Sequence, residues 1–254
     1  MPVSCRSWQR PVAEGDPAPV RPAVSLGSST RLVALLGHPV AHSLSPAMQN
    51  AAFAARGLDW AYAALDVPPA RLEEAVRGLA ALGFAGANVT APHKLAVAGL
   101  VGAGTPSVNT RLAGRGGRLE GRSTDAAVLA AVEPPERPVI IGSGGAAAAF
   151  LQALPHARTF SRRGAWPPEA GDADLVVNAT PVADEVLVRL VRGQTLVDLP
   201  YPGSATAAAA REAGAHVLDG LDVLVAQGAA SFELWTGVPA PVEVMRAAVR
   251  SRTC

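Results

Sequence analysis

With 254 residues, 49% hydrophobic and only 17% charged, the chain has ample apolar material for a core and falls outside the disordered class. Its 22 basic residues nearly balance 21 acidic ones, a net charge of +1, which excludes nucleic acid or a membrane surface as a partner held by bulk electrostatics. Cys5 and Cys254 stand at opposite ends and imply no disulfide framework, and no apolar run reaches the roughly 20 residues of a bilayer span, so a soluble, cytoplasmic protein is expected.

Residues 1–30 carry Pro2, Pro11, Pro17, Pro19 and Pro22 and lack the apolar stretch of a secretory signal. They read as a disordered extension or as a start placed too far upstream. From Arg31 the pattern changes. Leu32 to Leu36 reads as a buried strand ending at Gly37, and Pro46 to Arg56 as a helix stopping at Gly57. Trp60 to Leu65 is a second strand. Arg71 to Leu82 is an amphipathic helix with Leu72, Val76 and Leu79 on one stripe. Ala87 to Val89 is a third strand, after which Pro92 opens a helix. This alternation predicts a parallel sheet covered by helices.

A second series follows. Asp125 to Val132 reads as a helix closed by Glu133-Pro134-Pro135-Glu136, and Pro138 to Ile141 as a strand. A glycine turn and an Ala-rich helix to about Leu154 come next, then strands at Ala157–Phe160, Leu175–Asn178, Thr195–Leu199 and His216–Leu218. Helices Leu221 to Leu234 and Pro241 to Arg250 close the chain. The predicted class is α/β and two-lobed. An αβ substrate-binding domain spans 31–124 and is completed by 221–250; a Rossmann-type nucleotide-binding domain spans 125–220.

The glycine turn, Gly142-Ser143-Gly144-Gly145-Ala146-Ala147, fits G-x-G-x-x-G/A between a strand and a helix. Glycines there allow a tight turn and close approach of a pyrophosphate, whose charge meets the helix N-terminus. An NAD site places Asp or Glu about 20 residues after the first glycine. Here the next strand ends in Ser161-Arg162-Arg163, with no carboxylate. Guanidiniums at that point suit a 2′-phosphate, which predicts NADP(H) over NAD.

Three polar clusters stand where strands end. In the first, Ser43 and Ser45 alternate before Pro46, which suits a carboxylate or vicinal hydroxyls and equally suits a plain helix cap. The second, Asn88-Val-Thr90-Ala-Pro92-His-Lys94, holds the only lysine among 22 cationic residues. Lysine can exchange a proton in a protein site, whereas arginine cannot, so a lone lysine at a strand end points to chemistry. The third, Val108-Asn109-Thr110 with Gly121-Arg-Ser-Thr124-Asp125, supplies an amide and a carboxylate.

Taken in order, these motifs resemble the shikimate dehydrogenase family over nearly everything after residue 31. The resemblance runs through Gly37-His-Pro-Val-Ala-His-Ser43-Leu-Ser45-Pro46, Gly86-Ala-Asn88-Val-Thr90-Ala-Pro92-His-Lys94, Ser107-Val-Asn109-Thr110 and Ser123-Thr124-Asp125. It continues through the glycine turn, Asn178-Ala-Thr180-Pro181, Asp198-Leu199-Pro-Tyr201 and Gly220 to Gln227. It implies reversible reduction of 3-dehydroshikimate to shikimate by NADPH, a step of chorismate and aromatic amino acid biosynthesis. It further implies a catalytic pair Lys94 and Asp125, and substrate contacts from Ser43, Ser45, Asn88, Thr90, Asn109, Tyr201 and Gln227. Cofactor contacts are implied for Gly142, Ser143, Gly144, Gly145, Ala146, Ser161, Arg162, Arg163, Asn178, Thr180, Leu199 and Gly220. No metal is implied, and the oligomeric state is expected to be monomer or homodimer.

The chain departs from the family pattern at several places. Ser123 replaces an Asn, Ala126 a Gly, Pro106-Ser107 a Gly-Ala pair, and Ala148 an Arg. Ser161-Arg162-Arg163 replaces Asn-Arg-Thr, and the segment from Ser161 to Asp174 is short. A quinate enzyme using NAD is the nearest rival. It would carry an acidic ribose residue and Thr at the second serine, and the chain has neither.

Overall fold

A computed structural model describes residues 26–102, 104–113 and 119–252. The extension expected over residues 1–30 lies outside the described residues up to residue 25, as do Cys5 and Cys254. At its end, Ser29 and Thr30 donate their hydroxyls to the Asp59 carboxylate at 2.7 and 2.6 Å.

Two five-stranded sheets organise the chain. The first holds β1 (Arg31–Gly37), β2 (Trp60–Asp66), β3 (Gly86–Val89), β4 (Thr110–Ala113) and β5 (Leu119–Arg122) in the order β2-β1-β3-β4-β5. Its β1, β2 and β3 run parallel, whereas β4 pairs antiparallel with β3 and β5 pairs antiparallel with β4. The second holds β6 (Pro138–Ile141), β7 (Arg158–Phe160), β8 (Leu175–Asn178), β9 (Thr195–Asp198) and β10 (His216–Leu218), all parallel, in the order β10-β9-β8-β6-β7. The parallel strands at each centre bury both faces, which is why they read as unbroken apolar runs.

In each sheet the chain leaves its first strand to one side and returns on the other. Between β1 and β3, and again between β6 and β8, this opens a crevice at the strand C-termini, where open α/β sheets bind ligands. The loops at those ends carry the predicted site residues.

Helices cover both sheets. α1 (Ser45–Ala55), α2 (Leu72–Ala81), α3 (Lys94–Leu100) and α4 (Gly145–Ala153) are followed by α5 (Ala205–Glu212), α6 (Gly220–Thr236) and α7 (Val242–Arg250). On α2 the stripe Leu72, Val76 and Leu79 is buried, while Arg77 reaches Glu73 on the outer face at 2.5 Å. On α6 a capping box between Asp219 and Asp222 starts the helix, and Gly237, at φ +68°, ends it. The closing helices pack on the first sheet: Leu224, Phe232, Met245 and Val249 share a core with Val33, Met48, Phe53 and Tyr62. Val223 of α6 turns instead toward Ile140, Phe150 and Val177 beside the second sheet. One helix thus touches both cores. Among the described residues no helix is long and apolar enough to cross a membrane.

Five elements differ from the sequence reading. The β4–β5 hairpin is not anticipated, because its residues read only as polar clusters. Nor is α5, which buries Thr206, Ala207 and Ala210 without a larger apolar stripe, and which Ser204 caps at 3.0 Å. The segment Asp125–Ala131 is a 3₁₀ helix, whose three-residue repeat places Asp125 and Val128 on one buried side. α3 opens at Lys94 rather than at Pro92.

Asp174, at the foot of β8, contributes to the stability of this framework in a pH-dependent way. Burial alone would raise its carboxyl, but backbone N–H groups of Glu136, Arg137, Asp174 and Leu175 outweigh that and hold it below its ordinary value. A depressed carboxyl stabilises the fold above its unfolded-state value, and the contribution fades as pH falls through the folded-state value. Asp174→Ala is expected to cost about 1 kcal/mol in urea unfolding at pH 7, with the gap to the parent closing as pH falls below the ordinary carboxylate range. An equal loss at neutral and at acid pH would refute this account.

Candidate active site

The first crevice is built from the ends of β1 and β3. Gly37 closes β1 against Thr90; a Cβ on residue 37 would lie 2.5 Å from the Thr90 methyl. The serine loop follows. Leu44, not Ser45, is the N-cap of α1, and its side chain makes no capping bond. Ser43 Oγ accepts from the Ser45 backbone N–H, the first of the helix, at 3.2 Å, so the cap-type role falls to Ser43. Both serines border the crevice.

Lys94 begins α3, directly beyond β3. Its Nζ donates to Asp125 Oδ1 at 2.5 Å, and the two side chains are 17% and 8% exposed. Asn109 Nδ2 donates to the same oxygen at 2.9 Å. Asp125 Oδ2 is buried and has no partner among the described residues. A buried carboxylate oxygen is costly to leave unpaired, so this one is poised to accept a hydrogen bond from a bound hydroxyl.

These groups border a cavity of about 180 Å³ whose wall includes Ser43, Ser45, Asn88, Thr90, Lys94, Asp125, Leu199, Tyr201, Gly220 and Gln227. Ten sequence-predicted residues, drawn from both series of elements, therefore meet in one small space. Asn109 stands behind it, bonded to Asp125, Thr124 and Gln227. Gly220 must be glycine, because a Cβ there would lie 2.5 Å from the Pro200 carbonyl oxygen. Burial pushes the Tyr201 phenol above its ordinary value.

A polar network beneath the cavity contains residues that sequence reasoning missed. Asn88 Nδ2 donates at 3.0 Å to Asn109 O, Thr110 Oγ1 and Ser231 Oγ, and its Oδ1 accepts from the Tyr62 hydroxyl at 2.8 Å. Both of its amide hydrogens are therefore engaged inside the protein, which leaves Asn88 to shape the wall more than to donate to a ligand. Thr124 and Ser231 complete the network at 3.1 Å. Burial pushes the Tyr62 phenol far above its usual range, partly offset by the Ser45 hydroxyl. Two signals were available. The chain has only two tyrosines, and both stand here. Ser231 lies one helical turn after Gln227 on α6, the spacing that shares a face.

The second crevice lies at the ends of β6 and β8. Gly142 has φ +131°, and a Cβ on it would come within 3.0 Å of the Ala179 carbonyl oxygen, so the glycine turn abuts the β8 loop. Among the described residues no side chain caps α4, which leaves the N–H groups of its first turn directed outward, as a diphosphate requires. Arg162 stands beyond β7, with its guanidinium 5.5 Å from the Trp166 ring and 2.6 Å from Glu185. Asn178 is fully buried, donates to Asp198 Oδ1 at 2.8 Å and accepts from the Thr180 hydroxyl at 2.7 Å, which fixes the turn that carries Thr180. Burial pushes the Asp198 carboxyl up, with Asn178 opposing.

Residues 35–110 match the shikimate dehydrogenase substrate binding domain, and residues 220–250 match the shikimate 5′-dehydrogenase C-terminal domain. The shikimate dehydrogenase (NADP(+)) of Methanopyrus kandleri is 42% identical over 287 residues, covering 89% of this chain and 97% of the relative. The chain belongs to the shikimate dehydrogenase family. The enzyme of the same name from Moorella thermoacetica is 41% identical, covering 89% and 95%. A crystal structure of the shikimate 5-dehydrogenase of Thermus thermophilus, in complex with NADP(H) and shikimate, superimposes with a TM-score of 0.76 at 31% identity, covering 87% and 99%. Ser107 and Ser123 each carry a buried hydroxyl that has no partner among the described residues.

Proposed function

We propose that the chain catalyses the reversible reduction of 3-dehydroshikimate to shikimate with NADPH, and that Lys94 and Asp125 are its catalytic pair. One observation carries this: a buried Lys94–Asp125 ion pair faces a small cavity and leaves Asp125 Oδ2 without a partner among the described residues. NADPH, when bound, supplies the hydride. Hydride delivery to a ketone places negative charge on its oxygen. The Lys94 ammonium stabilises that charge and gives up a proton to it, so the product is a neutral alcohol. In the reverse direction the neutral amine takes the proton back.

Asp125 holds Nζ through Oδ1 and offers Oδ2 to a neighbouring ring hydroxyl. Ser43 and Ser45 present hydroxyl donors for the carboxylate, with Tyr201 nearby, and Thr90 and Gln227 face the ring hydroxyls. The first turn of α4 and the Gly142–Ala146 turn fit a diphosphate, and Ser161, Arg162 and Arg163 fit the adenosine end. In this reading residues 31–124 and 221–250 form the substrate-binding domain, and 125–220 form the cofactor-binding domain. One chain carries every group named, so a monomer suffices.

The test is nicotinamide absorbance with shikimate and with quinate, each offered with NADP⁺ and NAD⁺. Shikimate with NADP⁺ is expected to turn over fastest. Preference for quinate with NAD⁺ would overturn the substrate and cofactor assignment, and NADPH binding without turnover would overturn the enzymatic one.

A further inference from the structure

We propose that Gly145, in the cofactor turn, is a positioning residue for Lys94: its missing side chain forms the slot that seats the lysine stem. The proposal rests on the catalytic role of Lys94 given above. A Cβ built on Gly145 would lie 2.7 Å from Lys94 Cβ, 3.3 Å from Lys94 Cδ and 3.0 Å from Ser107 Oγ. The first of these contacts is the telling one. Cβ is the root of the lysine side chain and moves only with its backbone, so an added methyl displaces α3 against α4 and does not merely bend a flexible tip.

The neighbouring glycine behaves differently. A Cβ on Gly144 meets nothing within 4 Å among the described residues, although Gly144 belongs to the same turn. The requirement at residue 145 is thus local to Lys94 and Ser107, not a general demand of the turn. Ser107 is fully buried, so any movement of its Oγ away from an added methyl has to be taken up within packed surroundings. The contact joins the turn that fits the diphosphate to the lysine that moves the proton. It sets the height of Nζ over Asp125, and a displacement near 1 Å at such a site can cost about a hundredfold in rate.

Because Lys94 is the chain's only lysine, its protonation can be read by chemistry at one peptide. Reductive methylation as a function of pH, followed by mass spectrometry of the Lys94 peptide, gives its titration curve without relying on turnover. Gly145→Ala is expected to lower kcat at least about tenfold, with KM for shikimate within about threefold, and to shift the Lys94 titration midpoint, beyond whatever it costs in NADPH affinity. Gly144→Ala is expected to weaken NADPH while leaving that midpoint in place. Should Gly145→Ala fail to fold, the double variant Gly145→Ala with Ser107→Ala removes the obstructing hydroxyl and is read by the same assays, with a smaller shift in the same direction. An unmoved midpoint in the folded variant overturns the proposal, and so does a loss confined to NADPH affinity. If Lys94→Ala itself turns over normally, the catalytic reading fails instead, and the titration shift still reports whether Gly145 seats the lysine.

Discussion

Lys94→Ala is expected to lower kcat for shikimate oxidation by about a thousandfold, close to 4 kcal/mol of barrier, within the range for a lost general acid–base group. KM for shikimate should rise by less than about tenfold, since Ser43, Ser45 and Gln227 remain in the cavity wall. The variant also leaves Asp125 without its cation, and a buried carboxylate stripped of its partner destabilises the fold. Thermal unfolding therefore has to accompany the kinetics. Lys94→Arg separates charge from proton transfer. The guanidinium preserves a cation beside Asp125 but does not release its proton, so turnover should remain as low as in the alanine variant. Near-normal kcat in Lys94→Ala would remove the proposed role. Recovery in Lys94→Arg would show that charge alone suffices.

Much of the fold was legible because its central strands are buried on both faces. Val139, Ile140 and Ile141 in β6, and Leu175, Val176 and Val177 in β8, are each 0–1% exposed, and a strand that needs no polar face leaves a continuous apolar run in the sequence. The hairpin was illegible for the opposite reason. β4 and β5 are four residues each; β4 takes its place by pairing with β3, more than 20 residues earlier, and β5 by pairing with β4. Propensity carries no record of such a partner. α5 escaped because alanine and threonine cover its contact with the second sheet, so no large apolar residue marks its period.

The site was legible where chemistry restricts residue type and illegible where only position matters. A single lysine in an arginine-rich chain is visible by inspection, and so is a glycine turn between a strand and a helix. Tyr62 and Ser231 are not. Each bonds to Asn88, one from 26 residues before and the other from 143 residues after, and only the folded chain brings the three together. Asn178 is marked by its motif, but its bonds to Asp198 and Thr180, which fix the turn after β8, are not visible in the sequence.

Arg162→Ala is expected to raise Kd for NADPH by at least about tenfold while changing NADH by less than about twofold. The discriminating group is the 2′-phosphate, and hydrogen bonds to charged groups contribute about 1.5–3 kcal/mol each. In the structure the guanidinium is already engaged with Glu185 at 2.6 Å, but both side chains are more than half exposed, and such surface pairs contribute at most about 1 kcal/mol. A dianionic phosphate can displace that partner, and the Trp166 ring beside the guanidinium limits where it can swing. Two consequences separate this account from a purely structural role for Arg162. Glu185→Gln frees the guanidinium and removes a negative charge from the crevice, so NADPH should bind up to about fivefold tighter with NADH unchanged. Added salt should weaken NADPH binding to the parent protein and should have much less effect on Arg162→Ala, because screening acts on the charge pair that the variant lacks. Equal losses for the two nicotinamides in Arg162→Ala would show that the arginine supports the β7 loop, and the basis of cofactor choice would then pass to Arg163, the remaining guanidinium of the turn.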